Sequence, residues 1–394
     1  MIFDGIHSGL AVLTCFRCGK EHNPAEVNNT CTKCGGTLLA RYDIQKVANT
    51  FTKSSLKKRV KSLWRYTELL PLQDERKLVS LGEGLTPILN LKELGREVGI
   101  SLLMIKDDGI LPTGTFKARG QAVAVSRAKE LGLKELCVPS AGNAGAAMAA
   151  YAARGHLAAH VFLPEDSPMA NQIECSNYGA ILHLVRGTIA DAASEMRKEM
   201  LSHEWFDMST LREPYRVEGK KTMGLEMAEQ LDFNLPDVVI YPVGGGTGLI
   251  GMWKAFDELE ELGLIGSGRP KMVAVQSSGC DPIVKAFQNR KDAAEEFKNP
   301  STVASGLRVP SPFSSELILE VIRRSSGTAV SVSDDEIILE MKKLMKEGIS
   351  ACPEGAATLA GLRRLVDKNW IEKEESVLLY NTGTALKYMH LLGS

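Results

Sequence analysis

The sequence predicts an α/β fold, with two domains built on mostly parallel open sheets and a small cysteine-rich module ahead of them. Three observations lead there. From about residue 80 onward, short apolar strands alternate with longer helical segments, as they do in βαβ units. Several of those strands run into turns of small residues that open a helix. The first 45 residues differ: they lack long apolar runs but hold two CxxC pairs.

The elements follow in order. Leu81 to Pro87 (LGEGLTP) is a turn cluster that opens the main domain. Leu102 to Ile105 and Leu136 to Pro139 are strand candidates, separated by a helix over Lys117 to Leu131. An Ala-rich helix over Gly145 to Arg154 stops at Gly155, a helix-ending residue. Strand HVFLP, helix Met169 to Tyr178, strand ILHLV and helix Ile189 to Leu201 come next. A helix over Thr222 to Leu231 leads to the strand Val238 to Pro242, and a helix over Leu249 to Leu262 to the strand Met272 to Val275. Ser333-Asp334-Asp335-Glu336 is a capping box for a helix reaching Met345. Val377 to Tyr380 is the last strand. The strands between Leu136 and Leu201 form a small sheet of their own, and the others a larger one. The expected division is therefore 1–45, then a large domain over 46–134 and 216–394, with a small domain over 135–215.

Composition excludes several function classes. With 394 residues, 44% hydrophobic and 24% charged, the chain has ample core, and its net charge of -1 offers no field for nucleic acid or an anionic membrane. The start MIFDGIHSGL carries Asp4 where a signal peptide has basic residues. No apolar run approaches the roughly 18 residues of a membrane span. A cytoplasmic protein is expected. The Lys-rich stretch Lys53 to Lys61 places Leu56, Val60 and Leu63 at helical spacing, so it reads as the solvated face of a helix. Cys137, Cys175, Cys280 and Cys352 sit in apolar contexts as buried small side chains.

Cys15, Cys18, Cys31 and Cys34 form the two CxxC pairs. Disulfides conflict with a reducing compartment, and a redox motif needs no second pair. Four thiolates from two tight turns suit a structural Zn2+, and with all four positions filled no open site is left for catalysis. So small a module needs such a staple to fold.

Four further segments carry chemistry. Lys117 lies in Pro112-Thr113-Gly114-Thr115-Phe116-Lys117-Ala118-Arg119-Gly120, and a lysine amine becomes a nucleophile when held and partly desolvated. Pro139-Ser140-Ala141-Gly142-Asn143-Ala144-Gly145 lets the amides of a helix start approach a carboxylate; taken alone it is a βα turn with Asn143 as N-cap. Pro242-Val243-Gly244-Gly245-Gly246-Thr247-Gly248-Leu249 makes a nest for a single phosphate. It also matches GxGxxG, but the next strand ends Val275-Gln276-Ser277 without the acid a dinucleotide needs. Tyr380-Asn381-Thr382-Gly383-Thr384 puts a hydroxyl at a strand end. An amine, an amide, a phosphate nest and a hydroxyl together suit pyridoxal 5'-phosphate, which has an aldehyde, a phosphate and a ring nitrogen.

PTGTFKARG, SAGNAG, GGGTGL and NTGT in this order resemble the fold-type II pyridoxal-phosphate enzymes of the tryptophan synthase β-like superfamily, and within it the threonine synthase family, some members of which carry an N-terminal zinc ribbon. The resemblance covers about residues 80 to 390. It implies that Lys117 binds the cofactor as a Schiff base and shuttles protons, with Phe116 near the ring. It implies Asn143 at the ring hydroxyl, Gly244, Gly245, Gly246, Thr247 and Gly248 at the phosphate, and Thr382 at the ring nitrogen. Substrate contacts are implied at Thr115, Ser140, Ala141, Gly142, Asn143, Arg216 and Lys221. The last two belong to Tyr215-Arg216-Val217-Glu218-Gly219-Lys220-Lys221-Thr222, where cations would meet a substrate phosphate; read without the resemblance, they are exposed charges heading a helix. The implied reaction converts O-phosphohomoserine and water to threonine and phosphate, and the family's habit implies a homodimer. Ala118 and Ala144 depart from the family's usual Asp and Thr, and Lys-Ala-Arg is similar to the dehydratases of the superfamily. A threonine or serine dehydratase and a β-replacement enzyme on a phosphorylated amino acid are the alternatives. A non-catalytic zinc-ribbon adaptor is the remote one.

Overall fold

A computed structural model describes residues 7–393; Met1 to Ile6, which include Asp4, and Ser394 lie outside the described residues. The chain forms two compact units, one of residues 7–85, 117–226 and 254–265, the other of residues 86–116, 227–253 and 266–393. Among the described residues are thirteen strands: β1 (Leu10–Cys15), β2 (Glu21–His22), β3 (Leu38–Tyr42), β4 (Ile88–Asn90), β5 (Leu102–Asp107), β6 (Glu135–Pro139), β7 (Ala158–Pro164), β8 (Ile181–Val185), β9 (Phe206–Asp207), β10 (Val238–Pro242), β11 (Lys271–Ser277), β12 (Thr328–Val332) and β13 (Ser376–Asn381).

The first unit holds two sheets. β1 pairs antiparallel with β2 and β3 to make the cysteine-rich ribbon. The other sheet has the order β8-β7-β6-β9 and is parallel throughout. β7 (AAHVFLP) lies in its interior and is buried over six residues, as a strand covered on both faces must be.

The second unit is built on a six-stranded sheet of order β12-β11-β10-β13-β5-β4. Every pairing is parallel except β4 with β5, which closes the edge in the antiparallel sense. β10 (VVIYP) is wholly buried. The helix Pro353–Asp367 contributes Leu359 and Leu362 to the apolar core that this sheet shares with its helices.

Several expectations shift. The helix expected over Thr222 to Leu231 begins at Arg216, because the Glu213 carboxylate accepts the amides of Tyr215 (2.7 Å) and Arg216 (3.0 Å) and so satisfies the first turn. The Ala-rich helix begins at Asn143, two residues early. Lys53 to Lys61 is a single turn, Lys53–Leu56, capped by Thr52, not a longer helix; Leu56 and Leu63 are nevertheless buried. β12, whose sequence TAVSV lacks a long apolar run, and the edge strands β4 and β9 were not anticipated.

Candidate active site

In the second unit, the glycine turn joins β10 to the helix Thr247–Glu261. Gly246 has φ +75°, the left-handed conformation that glycine adopts without cost, and an added Cβ would strike Ile318. A Cβ at Gly244 would meet the Gly306 carbonyl, and one at Gly248 the Tyr241 ring. Bare backbone is therefore enforced on three sides. The helix ladder is already running at Ile250 N to Gly246 O (3.0 Å), and the amides before it belong to the helix start that anions favour. This donor set fits a phosphate monoester.

The end of β13 faces the same sheet edge. Phe116 N donates to Thr382 O (2.9 Å), and Thr115 bridges to Gly383, so the residue before Lys117 is pinned to the NTGT turn. Thr115 is buried and its hydroxyl has no hydrogen-bond partner. The Phe116 ring meets Tyr241 edge-on at 6.2 Å. The Thr382 hydroxyl lies 3.7 Å from the Cys352 thiol, and Cys352 caps the helix Pro353–Asp367 by accepting from Gly355 N. Cys352 was read only as a buried apolar side chain, and its capping role carries no sequence signal.

In the first unit, Lys117 opens the helix Lys117–Glu130 and is half-buried. That helix is fixed to the helix Arg216–Gln230 backbone to backbone: a Cβ on Gly120 would stand 2.9 Å from Arg216 O, and one on Gly219 would strike Arg119 O. Between them the Arg119 guanidinium donates to Glu226 (2.6 and 2.8 Å) and to Thr222, all fully buried. The arginine of Lys-Ala-Arg thus holds a helix in place.

Ser140, Ala141, Gly142 and Asn143 form the turn from β6 into the helix Asn143–Gly155. Ser140 Oγ accepts from Gly142 N and Gly145 N, each at 3.0 Å. The N-cap is Gly142, at φ +130°, not Asn143, which is the first helical residue; a side chain at Gly142 would strike the buried amide of Asn171.

Arg216, Lys220 and Lys221 are buried, so the reading of exposed charges heading a helix is wrong. Lys221 also leaves the list of substrate cations. Its ammonium pairs with Glu218 (2.6 Å) and Glu258 (2.9 Å) and lies 3.9 Å from the centre of the Tyr42 ring. Lys254 pairs with the same two carboxylates, and Tyr42 Oη donates to Glu218. Burial alone raises the Glu218 carboxyl, but Lys221 and Lys254 outweigh it and hold it ionised.

Arg216 is different. It is 3% exposed, and its guanidinium makes one hydrogen bond, Nη1 to Met208 O (2.5 Å). Among the described residues no carboxylate forms an ion pair with it. Burial pulls its pKa below the usual arginine range, with only partial compensation from Glu213 and Asp207. A buried cation whose charge is only partly offset suits an incoming anion. Glu213, which fixes the backbone here, was missed because a carboxylate in EPYR reads as a surface charge.

In the ribbon, the four sulfurs of Cys15, Cys18, Cys31 and Cys34 lie within 4.8 Å of one another, with Cys15–Cys34 at 3.4 Å and Cys18–Cys31 at 3.6 Å. Sulfurs about 2.3 Å from one tetrahedral ion stand about 3.8 Å apart, so the cluster has the right size. His22 Nε2, which sequence reasoning also missed, is 3.4 Å from Cys31 Sγ. Burial opposes ionisation of Cys31, but His22 and the amides of Lys33 and Cys34 lower its pKa to about 5.

Comparison with known proteins shows the family. Residues 79–383 match the family described as pyridoxal-phosphate dependent enzyme, and the chain belongs to that family. It is 38% identical to a threonine synthase of Methanocaldococcus jannaschii, over 95% of this chain and 92% of that protein. Identity to the threonine synthase of Methanosarcina acetivorans is 39%, with the same two coverages. The fold is similar to that of maize serine racemase (TM-score 0.67, 21% identity, 78% of this chain and 92% of that one). No helix among the described residues is long and apolar enough to cross a membrane.

Proposed function

We propose that this chain is a threonine synthase, converting O-phosphohomoserine and water to threonine and phosphate. The full-length similarity to two threonine synthases supports the reaction class. The observation that carries the substrate is Arg216, a buried guanidinium without a carboxylate partner on a chain that already has a separate glycine nest for the cofactor's phosphate.

When bound, pyridoxal phosphate supplies an aldehyde that captures an amine and a ring that takes up electrons released at the substrate's Cα. Gly244 to Gly248 would hold its phosphate through backbone amides, Asn143 would hydrogen-bond its ring hydroxyl, Thr382 would meet its ring nitrogen, and Phe116 would flank the ring. Lys117 holds it through its amine and then, as a free base, accepts the proton leaving Cα and returns protons along the carbon chain. Ser140 to Asn143 would receive the substrate carboxylate at a helix start, and Thr115 is a further substrate contact that the family resemblance implies. Arg216 binds the substrate phosphate and orients it for departure from Cγ.

The ribbon holds a structural Zn2+ on Cys15, Cys18, Cys31 and Cys34, supported by the spacing of their sulfurs. The division into 1–45, 46–134 with 216–394, and 135–215 belongs to the same proposal; each of the three sheets falls within one of these segments. We place the enzyme in the cytoplasm, as a homodimer acting on a small amino-acid substrate, on the strength of composition and family resemblance.

The test is turnover by purified holoenzyme. Phosphate release from O-phosphohomoserine with threonine as product is expected, along with a visible cofactor absorbance band that Lys117→Ala abolishes. Ammonia and 2-oxobutyrate from threonine, with O-phosphohomoserine untouched, would sink the proposal in favour of a dehydratase. Lys-Ala-Arg no longer argues for that alternative, because Arg119 is committed to Glu226. Zinc retained by the wild type and lost in Cys15→Ser is the outcome expected for the ribbon.

A further inference from the structure

The ribbon sends two side chains into the loop that carries Arg216's carbonyl partner. Asn29 precedes Cys31 by two positions, and its Nδ2 donates to Asp207 O (2.8 Å) and to Arg212 O (3.2 Å), bridging the two ends of that loop. Thr37 follows Cys34 by three positions, and its hydroxyl donates to Leu211 O (2.9 Å). Leu211 has φ +60°, a left-handed conformation that a leucine adopts only when its surroundings impose it. Within the loop, Met208 N is tied to Cys137 O on β6, and Met208 O receives the Arg216 guanidinium. Immediately after it, Glu213 fixes the first turn of the Arg216 helix. Both the backbone of Arg216 and the carbonyl partner of its guanidinium thus hang from residues 207–213, and the ribbon's polar side chains bind that segment through its main-chain carbonyls.

We propose that Asn29 and Thr37 are positioning residues for the reaction: the ribbon holds loop 207–212 in shape and so presents the Arg216 guanidinium to the substrate phosphate. This rests on the reading of Arg216 given above. A ribbon serving only as a staple would have no need to grip this one loop from both sides of its second CxxC pair. The consequence is specific. Loosening the grip leaves Lys117 chemistry and the cofactor nest intact but misplaces a phosphate-binding cation, and displacements near 1 Å at such a group cost up to about a hundredfold.

The experiment compares holoenzymes carrying Asn29→Ala, Thr37→Val, Thr37→Ser and Arg216→Ala. Asn29→Ala and Thr37→Val are expected to raise KM for O-phosphohomoserine about tenfold or more and to weaken inhibition by inorganic phosphate in parallel. Their kcat, cofactor absorbance and thermal midpoint should stay near wild type, and amide hydrogen exchange across residues 208–213 should quicken. Thr37→Ser keeps the hydroxyl and should restore the wild-type KM. If Arg216→Ala raises KM while Asn29→Ala and Thr37→Val do not, the positioning role is wrong and the substrate reading survives. A thermal midpoint that falls together with kcat, with KM unmoved, marks a structural staple and equally overturns the role. If Arg216→Ala itself leaves KM unchanged, the substrate reading fails and the role fails with it.

Discussion

Arg216 and Lys221 lie on one helix, both nearly inaccessible to water, yet their surroundings are opposite. Lys221 sits in a charge-paired cluster of two carboxylates, a second ammonium and the Tyr42 ring, in which only Glu218 Oε1 and Glu258 Oε2 are left without a hydrogen bond. Arg216 has a single carbonyl hydrogen bond and, among the described residues, no ion pair; Glu213 and Asp207 offset its charge only in part. Burial therefore does not distinguish a structural cation from a binding one. The distinguishing feature is whether the fold itself neutralises the charge, and here it does so for Lys221 and only in part for Arg216.

The largest effect expected is on turnover. Arg216→Ala should lower kcat/KM for O-phosphohomoserine by about a hundredfold to a thousandfold, the usual consequence of removing one member of a buried charge pair. Its thermal midpoint should hardly move, because the substitution removes an incompletely compensated buried charge along with one hydrogen bond. Steady-state kinetics beside calorimetry would check both halves, and a large loss of stability would erase the contrast with Lys221.

Next comes the charge-paired cluster. Glu218→Ala leaves two buried ammonium groups to share the Glu258 carboxylate and should cost about 3–5 kcal/mol in denaturant unfolding. Lys221→Met leaves Glu218 with Lys254 and Tyr42, so the cost should be smaller, with KM for O-phosphohomoserine unchanged. A raised KM in Lys221→Met would return that lysine to the substrate site.

The smallest effect is a pH dependence at Glu213. Burial raises its carboxyl from 4.5 to about 7, against the opposing pull of Arg216 and two amides. A carboxyl whose folded pKa lies above its unfolded value stabilises the fold while protonated, and that contribution fades as pH rises from about 4.5 through 7. Glu213→Gln keeps an acceptor for the amides but cannot ionise. Relative to wild type it should therefore gain stability between pH 5 and pH 8, measured as the difference in unfolding free energy at the two values. A difference that does not change with pH would mean that Glu213 is already ionised at pH 5.

The central architecture was legible because β6, β7, β10 and β13 are continuous apolar runs, which buried parallel strands must be. β12 escaped notice because its threonine and serine interrupt such a run. The glycine turn and the small residues around Asn143 announced themselves, since close approach of backbone demands residues without side chains. The cation segment did not. Arg216 to Lys221 reads as solvated charge because its partners are remote in sequence: Glu258 lies on another helix and Tyr42 in the ribbon. The early helix start was hidden for a related reason, since its cap is a carboxylate from the preceding loop and not one of the short polar residues that usually mark such a start.

Asn29 makes its two hydrogen bonds from one amide nitrogen, and their acceptors are the carbonyls of Asp207 and Arg212. A single atom thus gauges the length of the peptide between those residues. Side chains along it are free to change among related chains, but an insertion or deletion would have to break one bond or the other. Homologues with such a ribbon should vary here in composition and keep the residue count, whereas those without it should show the length drifting.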